Sequence, residues 1–72
     1  MSKRKNQQDD YLEDLKIKGD ANAELGNYEE AIKNYNEALQ INPEFSIVLN
    51  DRGNAKHQLG QYEAAIKDFD KA

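Results

Sequence analysis

The stretch Leu25-Gly26-Asn27-Tyr28-Glu29-Glu30-Ala31-Ile32-Lys33 returns 34 residues later as Leu59-Gly60-Gln61-Tyr62-Glu63-Ala64-Ala65-Ile66-Lys67. The echo extends outward in both directions. With Leu12–Ala38 aligned to Ser46–Ala72, 11 of 27 positions are identical. The identities are mostly small or apolar residues, and the differences are mostly polar. Packing restricts the first kind and water tolerates the second, so the chain reads as two copies of one structural unit with different surfaces.

Each unit has helical periodicity. Leu12, Leu15, Gly19, Asn22 and Leu25 step by three or four, and Tyr28, Ala31, Ile32, Tyr35, Ala38 and Leu39 do the same. No stretch alternates with period two long enough to argue a strand. Gly26 and Gly60 stand where a first helix should stop, because a helix end often needs positive φ. Glu29 and Glu30 follow in the next first turn, where negative charge meets the positive end of the helix dipole. Pro43 ends the second helix and biases Asn42 out of the helical region. The spacing predicts four helices over about 9–25, 28–41, 45–59 and 62–72. Connections this short make neighbouring helices antiparallel. The fold class is therefore all-α, with helix-turn-helix hairpins stacked as a short solenoid. Residues 1–8 lack an apolar face and are expected to form a disordered, basic and polar tail, and residues 9–72 the folded domain.

A 34-residue unit of this pattern resembles the tetratricopeptide repeat. In the first copy the signature falls on Leu15, Gly19, Asn22, Leu25, Gly26, Tyr28, Ala31, Tyr35, Ala38 and Pro43. In the second it falls on Leu49, Gly53, Lys56, Leu59, Gly60, Tyr62, Ala65, Phe69 and Ala72. The family favours an aromatic at Asn22 and Lys56, and both are polar here. The resemblance places repeat 1 at about 12–45 and repeat 2 at about 46–72. Gly19 and Gly53 are expected at the close approach inside each hairpin, and Ala31, Ala38 and Ala65 between hairpins. Tyr28, Tyr35, Tyr62 and Phe69 are expected to fill the wider gaps.

The second unit stops at Ala72, the counterpart of Ala38, without counterparts of Leu39 to Pro43. Repeat arrays need further units or caps to cover a last apolar face. Three expectations stand side by side: a fragment of a longer array, self-association, or a short chain of marginal stability. Self-association would use Ile66 and Phe69, with the product a homo-oligomer.

Composition narrows the chemistry. There is no cysteine, one histidine and no threonine, so disulfides, thiolate chemistry and multi-histidine metal sites are excluded. Neither Ser2 nor Ser46 has a base beside it in a recognisable arrangement, and the paired acids read as solvated helix faces. No glycine-rich phosphate loop is present. The expectation is no enzyme and no cofactor. Lys3-Arg4-Lys5 is basic, but residues 11–72 carry seven basic against twelve acidic side chains, a net of −5. That argues against nucleic acid. Mean hydropathy is −1.06, and no apolar run approaches the roughly 20 residues that span a bilayer. A cytoplasmic setting with no membrane is expected.

What remains is binding. The family's concave face is lined mainly by the first helix of each repeat and takes an extended peptide or a partner helix. The resemblance puts Glu13, Lys16, Asp20, Ala23 and Glu24, then Ile47, Asn50, Asn54, His57 and Gln58, on that face. Lys16, Asp20, Asn50, Asn54 and His57 are the candidate ligand contacts. One subclass grips a carboxylate with lysine and asparagine. Lys16 matches its first lysine, but aspartates Asp20 and Asp51 stand where it has asparagine, and they would repel a carboxylate. The expectation is a scaffold or adaptor that binds a protein partner without that clamp.

Overall fold

Leu25, Gly26 and Asn27 close the first helix by backbone bonding alone. The Gly26 N–H donates to the Ala23 carbonyl at 3.0 Å and the Asn27 N–H to the Asn22 carbonyl at 2.8 Å. Gly26 carries the φ of +82° that this closure requires. The second unit repeats it: Gly60 to His57 at 3.0 Å, Gln61 to Lys56 at 2.8 Å, and φ +81° at Gly60. The computed structural model describes residues 7–72. The tail expected over residues 1–8, Lys3-Arg4-Lys5 included, lies largely outside them. Among the described residues there are four helices and no strand: α1 (Gln7–Glu24), α2 (Tyr28–Ile41), α3 (Ser46–Gln58) and α4 (Tyr62–Lys71). The first helix includes Gln7 and Gln8, two residues earlier than its periodicity suggests.

Neither Asn27 nor Gln61 caps with its side chain. Their carbonyls take the first helical bonds, from Ala31 and Ala65 at 2.9 Å each. The second helix stops at Asn42, whose φ of −134° is extended, as a residue before proline prefers. The Asn42 side-chain oxygen then accepts from the Glu44 N–H at 3.1 Å, which shapes the short link to α3.

The helices pack in chain order: α1 on α2, α2 on α3, α3 on α4, with a lighter touch of α1 on α3. One core runs through the stack from Leu12, Leu15, Ala31, Tyr35, Ala38 and Leu39 to Val48, Leu49 and Ala55. Inside each hairpin a glycine faces a ring. A side chain built at Gly19 would strike the Tyr35 ring, and one at Gly53 would meet the Phe69 ring at 2.5 Å. The helices approach closely because these two positions carry no side chain. Ala31, Ala38 and Ala65 are buried, as a close inter-helix contact requires. Tyr62 differs from its counterpart Tyr28. Tyr28 packs against the core, whereas Tyr62 is 58 % exposed. α3 lies over the first, and no described helix lies over the second.

Where the signature favours an aromatic, this chain places polar pairs. Asn22 donates to Asn34 at 2.8 Å in the first hairpin. At the equivalent positions of the second, Lys56 pairs with Asp68 at 3.1 Å. Arg52 also grips Asp68 with two hydrogen bonds, at 2.9 and 2.7 Å, and reaches Asn36 on α2 at 2.8 Å. Burial pushes the Asp68 carboxyl up, but hydrogen bonds from Arg52 and Lys56 outweigh it and hold it below its ordinary range.

Candidate functional site: the cleft between the first helices of the two repeats

α1 and α3 stand side by side with α2 behind them, and the gap between them is a cleft of ≈ 450 Å³. α1 supplies Asp20, Ala23 and Glu24, α3 supplies Asp51, Asn54, Ala55 and Gln58, and Tyr28 and Tyr35 of α2 form the floor. A second hollow of ≈ 600 Å³ lies over the Gly26–Asn27 turn, lined by Tyr28, Glu29, Glu30, Lys33 and Leu59. Its charges are the first-turn acids Glu29 and Glu30 of α2 and Lys33, an exposed partner of Glu30 at 3.9 Å, so the cleft is the better site.

Asp20 is the most engaged side chain of the cleft. Lys16, one turn earlier, donates to its Oδ2 at 2.8 Å, and the Tyr35 hydroxyl donates to its Oδ1 at 2.5 Å. Burial pushes Asp20 up, but the bonds from Lys16 and Tyr35, with the Asp51 carboxyl nearby, hold it below the usual carboxylate range. Lys16 is raised by its bond to Asp20. Burial and the bond to Asp20 also raise the Tyr35 phenol, which stays protonated. Asp51 behaves in the opposite way. Burial, then the nearby Asp20 carboxyl, push it up to about 6.

Of the residues expected on this face, Asp20, Ala23, Glu24, Asn54 and Gln58 line the cleft. Lys16 touches it through Asp20. Asn50 is exposed and does not line it. His57 is exposed too, and packs edge-on against Tyr62 with ring centroids 5.0 Å apart. Ile66 is 55 % exposed on α4, whereas Phe69 is half-buried over Gly53. Tyr28 and Tyr35 were expected only to fill gaps, and Asp51 only to repel a carboxylate. Asp51 had a visible signal: a charge where the first repeat has Ile17, three residues before Asn54.

A family model described as TPR repeat matches residues 19–60, more than half of the chain. The chain belongs to the TPR family. No curated protein and no solved structure matches it. TPR repeats are in general protein–protein interaction modules and typically not enzymes. The four described helices fit about two TPR repeats. No described helix is long and apolar enough to cross a membrane. Among the described residues, no group of His, Asp or Glu side chains is arranged to hold a metal ion.

Proposed function

We propose that this chain is a scaffold or adaptor module that takes an extended peptide or a partner helix in the cleft between α1 and α3. One observation carries the reading: side chains from three helices converge on a single preformed cleft. A preformed surface binds with little ordering cost on its own side. Tyr28 offers apolar contact, and the rim offers Asn54 and Gln58 as adaptable hydrogen-bonding groups.

The charges suggest which peptides fit. Among the described residues, Asp20, Glu24 and Asp51 line the cleft and no lysine or arginine does; Lys16 offsets one charge from outside it. A basic or neutral segment is therefore favoured over an acidic one, and a carboxylate-ended ligand is disfavoured. A cytoplasmic setting accords with such an adaptor. The test is a panel of lysine-containing and glutamate-containing peptides, titrated by calorimetry. Asn54→Ala and Glu24→Lys should each weaken the lysine-containing binder by about tenfold, ~1.4 kcal/mol, without loss of helicity. Unchanged affinity in both variants would sink the groove reading.

A second reading rests on the outer face of α4, where Tyr62 and Ile66 are both more than half exposed. Self-association through that face would leave a homo-oligomer. Asp14 tells against the simplest form of it, head-to-tail stacking through α1. It occupies the position where Val48 of α3 is wholly buried against its neighbours. Because Phe69 fills the space over Gly53, Phe69→Glu would disturb the hairpin itself, and Ile66→Glu is the cleaner probe. Light scattering across a concentration series distinguishes the readings. A mass of 8.2 kDa at all concentrations, unchanged by Ile66→Glu, removes self-association.

A further inference from the structure

Two carboxyl groups line the cleft, Asp20 from the first repeat and Asp51 from the second. Asp20 has both oxygens engaged, Oδ2 by Lys16 and Oδ1 by Tyr35. The Oδ2 atom of Asp51 is sealed from solvent and accepts no hydrogen bond from any described group. As an anion, a sealed oxygen without a donor is costly. Carrying a proton, the same atom becomes a donor, and the Asp20 carboxylate, which lines the same cleft and acts on Asp51, offers an acceptor. We propose that Asp20 and Asp51 share one proton across the cleft, and that this proton latches α3 to α1 so that the joint between the repeats responds to pH.

The surroundings fit such a latch from every side. On α1, Lys16 favours an Asp51 anion, but its ammonium is already committed to Asp20 at 2.8 Å. Glu24 of α1 lines the same cleft and adds negative charge. On α2, the raised Tyr35 phenol remains a donor to Asp20 throughout the range of interest. On α4, Asp68 is neutralised by Arg52 and Lys56. The shifts agree with the geometry: Asp51 rises to about 6 while Asp20 falls, which puts the shared proton on Asp51. The pair is also not a feature that each repeat inherits. The counterpart of Asp20 is Asn54, and that of Asp51 is Ile17. Above the step, two carboxylates share a partly desolvated cleft while Lys16 pairs with Asp20 alone, and the latch is lost.

The inference does not depend on what the groove binds. Its test is a carbon-detected NMR titration of the aspartate carboxyls in the 72-residue chain, from about pH 3 to about pH 9. This reads aspartates directly, so the imidazole of His57 does not enter. One carboxyl should titrate near pH 6 in the unaltered chain, and Asp51→Asn should abolish that step. Asp20→Asn should lower it by more than one pH unit, toward the ordinary value of about 3.9. In Asp51→Asn the side-chain amide can donate to Asp20 at every pH, so hydrogen exchange in α1 and α3 should lose its dependence on this step. If Asp51→Asn lost its helicity, Asp20→Asn would still decide the matter. An Asp51 that titrates in the ordinary range, or a step indifferent to Asp20→Asn, overturns the proposal.

Discussion

The sign of a single substitution can turn on one ring. In an exposed helix interior, replacing glycine by alanine stabilises by about 0.5–1 kcal/mol. At Gly53 the added carbon would meet the Phe69 ring at 2.5 Å. Relieving that contact costs about 1–3 kcal/mol. Gly53→Ala should therefore destabilise by about 1–2 kcal/mol in chemical denaturation, and Phe69→Leu in the same chain should recover part of it. The repeat made these glycines legible as close approaches. It did not reveal that a ring fills each space, because periodicity assigns a residue to a face and not to a partner. Arg52 belongs to the same scale. It holds a buried carboxylate, Asp68, at 2.7 Å and ties in Asn36 of α2. Arg52→Met leaves Asp68 with Lys56 alone and should cost about 2–4 kcal/mol in the same assay.

Between whole elements, the two hairpins solve one packing problem with different chemistry. Where the first joins its helices by Asn22 and Asn34, the second uses Lys56 and Asp68. Both pairs are partly shielded, so each member depends on the other. Installing the second pair in the first hairpin, by Asn22→Lys with Asn34→Asp, should show favourable coupling of about 1 kcal/mol in a double-mutant cycle. Strict additivity would mean that the positions do not meet. Helix limits were largely legible: three of the four starts and all four ends fall within one residue of those expected, since glycine at positive φ and proline punctuate them. The N-caps were not, because backbone carbonyls rather than side chains begin α2 and α4. The polar pairs were legible only as departures from a pattern. Their bonding depends on how two helices face each other across about a third of a repeat.

Over the whole molecule, the charged groups should give stability a maximum in mildly acid solution. Asp51 is raised to about 6, so the folded form holds that proton more tightly than the unfolded chain. Its contribution is present at low pH and is lost as pH rises through about 6. Asp20 and Asp68 are lowered, so theirs is present above the ordinary carboxylate range and lost as pH falls below it. Melting temperature should therefore peak between about pH 4 and about pH 6, and Asp51→Asn should flatten the alkaline side alone. The groove face was half legible. Asp20, Glu24, Asn54 and Gln58 were expected there and line the cleft, but Asn50 and His57 do not. The tyrosine floor emerges only once α2 is placed behind α1 and α3. The most direct test of the account is NMR mapping of backbone amides while a lysine-containing peptide is added to the chain. Shifts gathered on Asp20, Glu24, Asp51, Asn54 and Gln58, and weaker with a glutamate-containing peptide, are the expected result. Shifts confined to Tyr62 and Ile66 of α4, or none with any peptide, would contradict it.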